Sequence, residues 1–64
     1  MGWRRWMKNN WRDYLELDHR CVLVVNTGQL AQETAKRFPD APYQSIQNFA
    51  WKIRGDHKRG RLKG

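Results

Sequence analysis

The 64-residue chain predicts an all-α fold, three helices in one small domain followed by a flexible basic C-terminal tail. Three observations point there. Apolar residues recur at helical spacing in three separate stretches. Residues that start and stop helices stand between those stretches. The one β-branched run, residues 22–25, has no second strand pattern to pair with.

The first helix is expected over about residues 3–17. Trp3, Trp6, Met7, Trp11, Tyr14 and Leu15 fall on one stripe, with Arg4, Arg5, Lys8, Arg12 and Glu16 on the polar side. Asn9 and Asn10 are weak helix formers, so this helix depends on packing. Core packing is the expected use of Trp6 and Trp11, while Trp3 lies at the fraying end. Residues 22–25 are apolar, as a short buried strand would be. Lacking a partner, they are assigned to a helix extension or a buried connection. Cys21 stands beside this run and is expected to be a buried, inert thiol.

Asn26 or Thr27 caps the second helix, with Gln29 three residues after Asn26 in a capping-box arrangement. Leu30, Ala31, Thr34, Ala35 and Phe38 form its inner face. Pro39 ends it, because the residue before a proline avoids the α region. "FPDAP" is then a stiff turn, with Asp40 as the cap of a third helix and Pro42 in its first turn. That helix spans about 42–54 and stops at Gly55. Ile46, Phe49, Ala50 and Ile53 form its buried edge, and Gln44, Gln47, Asn48 and Trp51 lie opposite. Residues 1–55 thus make one domain, and 56–64 a basic flexible arm of little apolar content.

Composition narrows the function. The formal net charge is +7, and residues 52–64 hold six basic side chains against Asp56 alone. That balance favours an anionic partner, nucleic acid first and an anionic membrane surface second. A single cysteine, Cys21, allows no internal disulfide, which fits a reducing cytoplasm. With only His19 and His57 beside it, no zinc-ligand spacing can be assembled, and no metal or cofactor is expected. The apolar run from Cys21 to Val25 is far too short to span a bilayer, and the first residues lack the pattern of a signal peptide. Asp56 and His57 are adjacent but lie in the expected tail, where nothing would orient them for catalysis. An enzyme is not expected, nor is a small-molecule substrate.

Two short helices joined by a tight turn, after a longer first helix, describe a tri-helical helix-turn-helix domain. In such domains the last helix enters the DNA major groove. Gln and Asn can bond bidentately to adenine edges there, which makes Gln44, Gln47, Asn48 and the neighbouring Trp51 the candidate base contacts. Tyr43, Lys52 and Arg54 flank them as phosphate contacts. Lys58, Arg59, Arg61 and Lys63 form an arm for phosphates or the minor groove.

"TGQLAQETAKRF" followed by "YQSIQNFAWKIR" resembles helix-turn-helix modules of the homeodomain-like and Myb-like kind found in phage and bacterial proteins. Ser45, Ile46, Ala50 and Ile53 carry the match in the third helix. The resemblance covers residues 27–54 and implies a recognition helix at 43–54. It also implies a bacterial cytoplasm or nucleoid, or a phage, as the setting. The turn departs from the pattern, holding two prolines where many such motifs use a glycine.

The expected function is therefore that of a small double-stranded DNA-binding protein, a transcriptional regulator or an accessory factor in recombination or replication. So small a domain offers few base contacts, which points to a homodimer or another DNA-associated protein as its companion. The alternative is a phage-type interaction protein that binds a host enzyme such as RNA polymerase through the Trp51 face. Packing of Trp51 against Leu62 or the N-terminal tryptophans is the third use open to that side chain.

Overall fold

A computed structural model describes residues 2–60. Five regular elements and one 3-10 turn follow in chain order. Helix α1 is Trp3–Asn10 and leads into the 3-10 turn Trp11–Tyr14. Strands β1, Leu15–Leu17, and β2, Leu23–Val25, come next. Helices α2, Thr27–Arg37, and α3, Tyr43–Lys58, complete the order. The fold is mixed α/β, and the all-α expectation is overturned by an antiparallel hairpin.

The hairpin exists because α1 stops early. The Asn10 side chain donates from Nδ2 to the Trp6 carbonyl at 2.7 Å, competing for an acceptor the helix would use itself. The backbone tightens into the 3-10 turn and then extends. Leu15 pairs with Val25, Glu16 with Val24 and Leu17 with Leu23. Residues 22–25 therefore hold a paired strand and not a helix extension. The partner strand is Leu15–Leu17, whose residues also continue the apolar stripe of the first helix.

Asp18 closes the hairpin. Its Oδ1 accepts from the backbone N–H of Arg20 at 2.8 Å and of Val22 at 3.0 Å, and its carbonyl accepts from Cys21 N–H at 2.9 Å. This turn places Cys21 at φ +60°, where glycine or asparagine is more at ease. Cys21 is exposed, which corrects the expectation of a buried thiol.

Asn26 begins α2 as expected, its Oδ1 accepting from Gln29 N–H at 3.1 Å. Leu30, Ala31 and Thr34 are buried, and the Thr34 hydroxyl donates to the Leu30 carbonyl at 2.7 Å. The Phe38–Ala41 turn closes with Ala41 N–H donating to the Phe38 carbonyl at 3.0 Å. Pro42 is the N-cap of α3, and no side chain caps this helix, so Asp40 does not play that part.

Met7, Trp11, Val25, Leu30, Ala31, Ile46, Ala50 and Ile53 form the core. Trp3, Trp6, Tyr14, Leu15 and Phe49 pack around it, half-buried. Helix α2 lies on α3 along the largest helix–helix contact. Helix α3 does not stop at Gly55. It runs on to Lys58, because this last turn still has something to lie against: the His57 ring sits 5.2 Å from that of Trp11. Residues 56–58 thus belong to the helix and not to an arm. Among the described residues no helix is long and apolar enough to cross a membrane.

Candidate nucleic-acid interface

The periodicity of α3 divides it into a buried stripe and an opposed ridge. Ile46, Ala50 and Ile53 are buried and Phe49 is half-buried, so the core fixes the rotation of the helix. Gln44, Asn48 and Trp51 then stand outward at i, i+4 and i+7, all exposed. The Gln44 amide donates to Asn48 Oδ1 at 3.4 Å, which joins the two along the ridge. Gln47 lies on one shoulder, half-buried and less available than the other two.

Cations flank the ridge. Lys52 is exposed on one side, and Arg54 and Lys58 lie on the other. Arg59 is the C-cap, its N–H donating to the Gly55 carbonyl at 3.0 Å. Tyr43, 43% exposed, opens the helix at the end where Gln44 stands. Arg61 and Lys63 lie outside the described residues, as does Leu62.

Trp51 is 58% exposed, a large apolar surface to leave in water. Its ring neighbour is Arg54, whose guanidinium carbon lies 5.1 Å from the ring centroid. The N-terminal tryptophans are engaged elsewhere. Trp3 meets Phe49 edge-on at 5.7 Å, Trp6 tilts against Tyr14 at 6.4 Å and lies under Arg37, and Trp11 is buried.

The charge is partitioned by element. Helices α1 and α3 carry Arg4, Arg5, Lys8, Lys52, Arg54 and Lys58 against the single carboxylate of Asp56. Residues 11–42 between them carry four basic side chains and five acidic ones. The two helices that touch through Trp3 and Phe49 therefore hold nearly all of the positive surplus of the folded part.

Sequence reasoning missed one part of this face. A shallow groove of about 260 Å³ runs between α1 and α3, lined by Trp3, Arg4, Ser45, Asn48, Phe49 and Lys52. Arg4 and Lys52 are 48 positions apart in the chain, so no local motif could have joined them. The hairpin end lies within electrostatic reach of the Arg54 flank. There the Val22 N–H first, then the Arg20 N–H and the charges of Arg20 and Arg54, hold the Asp18 carboxyl below its ordinary value of 3.8, against some desolvation.

Asp56 and His57, expected in a tail, stand on the last turn of α3, with His57 held against Trp11. Among the described residues no group of three or more His, Cys, Asp or Glu side chains comes together as a metal site would require. No family model, curated protein or solved structure matches this chain.

Proposed function

We propose that this protein binds double-stranded DNA with α3 in the major groove, as a regulator or a recombination or replication accessory factor. One observation carries the reading: an outward ridge of uncharged amide side chains, Gln44 and Asn48, with cations along both of its flanks. A helix in a groove about 12 Å wide has base edges beneath it and a phosphate backbone on each side. Amides suit the first and cations the second. Lysine and glutamate would be the ordinary occupants of a merely solvated ridge. Lys58, Arg59, Arg61 and Lys63 add phosphate or minor-groove contacts.

The test is a fluorescence-anisotropy titration on duplexes selected from a random pool, with single-stranded RNA of equal length alongside. Asn48→Ala and Gln44→Ala are each expected to cost about 1–3 kcal/mol on the selected duplex and little on random duplex. Equal losses on both would remove the base-reading claim. Equal affinity for duplex and RNA would reduce the charge to a non-specific attraction.

A second reading has its own observation. Trp51 is exposed with the Arg54 guanidinium over its ring, and tryptophan and arginine are enriched among the residues that anchor protein interfaces. On that reading the ridge meets a protein partner, and Trp51→Ala abolishes a complex that nuclease treatment leaves intact.

A further inference from the structure

We infer that the groove between α1 and α3 holds a backbone phosphate of the bound duplex, with Arg4 as its principal ligand. This rests on the duplex-DNA reading above and adds a second strand contact to it. The groove brings two cations together, Arg4 from α1 and Lys52 from α3, with the hydroxyl of Ser45 and the amide of Asn48 between them. No carboxylate lines it. Its apolar wall, Trp3 and Phe49, locks α1 to α3 by an edge-on ring contact at 5.7 Å.

The Arg4 side chain has a resting place before any ligand arrives. Its guanidinium carbon lies 4.3 Å from the centroid of the Trp3 ring, and stacking there limits the rotamers an exposed arginine would otherwise sample. A planar guanidinium offers paired N–H donors that match two phosphate oxygens. The position fits a duplex as well. Ser45 and Lys52 border the ridge on the side facing α1, while Arg54 and Lys58 border the other. With α3 in the groove, Arg4 and Lys52 meet one phosphate strand and Arg54 and Lys58 the opposite one. Contacts on both strands fix the rotation of the helix about its own axis. That rotation decides which base edge Asn48 faces.

The experiment is a salt series of anisotropy titrations on a fluorescein-labelled random duplex, comparing wild type, Arg4→Gln, Lys52→Gln and Arg5→Gln. Arg5 is exposed on α1 but does not line the groove. Arg4→Gln should flatten the log–log salt slope by about 0.9, Lys52→Gln should flatten it by less because Arg4 still neutralises the same phosphate, and both should weaken all duplex sequences alike. Arg5→Gln should leave the slope unchanged. Circular dichroism confirms that each variant is folded, and Arg4→Lys serves in place of Arg4→Gln if the latter is not. Arg4→Lys retains the charge but loses the paired donors, so it should bind more weakly with its slope retained. A wild type that binds steeply with an Arg4→Gln variant of equal slope overturns the phosphate site and leaves the DNA reading standing. An Arg5→Gln loss equal to that of Arg4→Gln overturns it too, since net charge then explains both. A wild type with no duplex binding at low salt ends both readings together.

Discussion

The Arg54 guanidinium lies over the Trp51 ring, 5.1 Å from its centroid, and the two are one helical turn apart on α3. Trp51 is exposed and Arg54 half-buried, so the ring itself adds little to the fold. An exposed cation–π contact contributes about 0.5–1 kcal/mol. Trp51→Ala should therefore leave the melting temperature within a few degrees of wild type while lowering affinity for the duplex severalfold. Thermal unfolding by circular dichroism and one anisotropy titration read the two quantities separately. A large drop in melting temperature would show that Trp51 supports the fold.

Asn26 holds three segments at once. Its backbone N–H donates to the Tyr14 carbonyl at 2.7 Å, its Oδ1 caps α2 through Gln29 N–H, and its Nδ2 donates to Glu16 Oε2 at 3.3 Å. Asn26→Ala should cost about 1 kcal/mol from the lost cap. Asn26→Asp keeps the acceptor but sets a carboxylate against Glu16, so it should fall between the two in urea unfolding. Equal stability of all three proteins would remove the cap from the account.

Asp18 makes stability depend on acid pH. Its pKa is lowered in the folded chain, chiefly by the Val22 N–H, so its contribution is fully present above the ordinary value of 3.8. That contribution is lost as pH falls through the lower folded value. Asp18→Asn lacks it at every pH. The gap in urea midpoint between wild type and Asp18→Asn should be widest near neutrality and shrink on acidification. A gap that stays constant would assign the effect to hydrogen bonding alone.

Gly55 sits inside α3, where glycine costs about 0.5–1 kcal/mol relative to alanine. A Cβ there would meet Arg59 Nη1 at 3.6 Å, an ordinary contact. Gly55→Ala should raise the melting temperature by about 4 °C. A lower melting temperature would mean that the helix is interrupted at this residue.

Much of the architecture can be read in the residue order, and what cannot has physical reasons. The buried edge of α3, the inner face of α2 and the Asn26 cap all follow from periodicity and capping chemistry. The hairpin was hidden because its strands are three residues long and one of them continues an apolar stripe. The available signal was alternation: Leu15 and Leu17 match Val25 and Leu23 across a loop that Asp18 can close. Gly55 looked like a stop because its propensity is poor. The packing of His57 on Trp11 outweighs it. On the candidate face, the ridge of Gln44, Asn48 and Trp51 was visible in the spacing. Arg4 was not, since only the Trp3–Phe49 contact brings it there.

That contact also orders events in time. The hairpin and the α2–α3 pair join stretches close in sequence, and they can form as soon as they are made. Trp3 gains its ring partner only when α3 exists, because that partner is Phe49, whereas Trp6 meets Tyr14 and Arg37, which come earlier in the chain. On the ribosome Trp3 and its neighbours emerge well before Phe49, so the Trp3 ring waits for its partner while the rest of the fold is synthesised. Arg4, Arg5 and Lys8 travel with them. Like charges on these three exposed side chains oppose the close approach of a second copy during that interval.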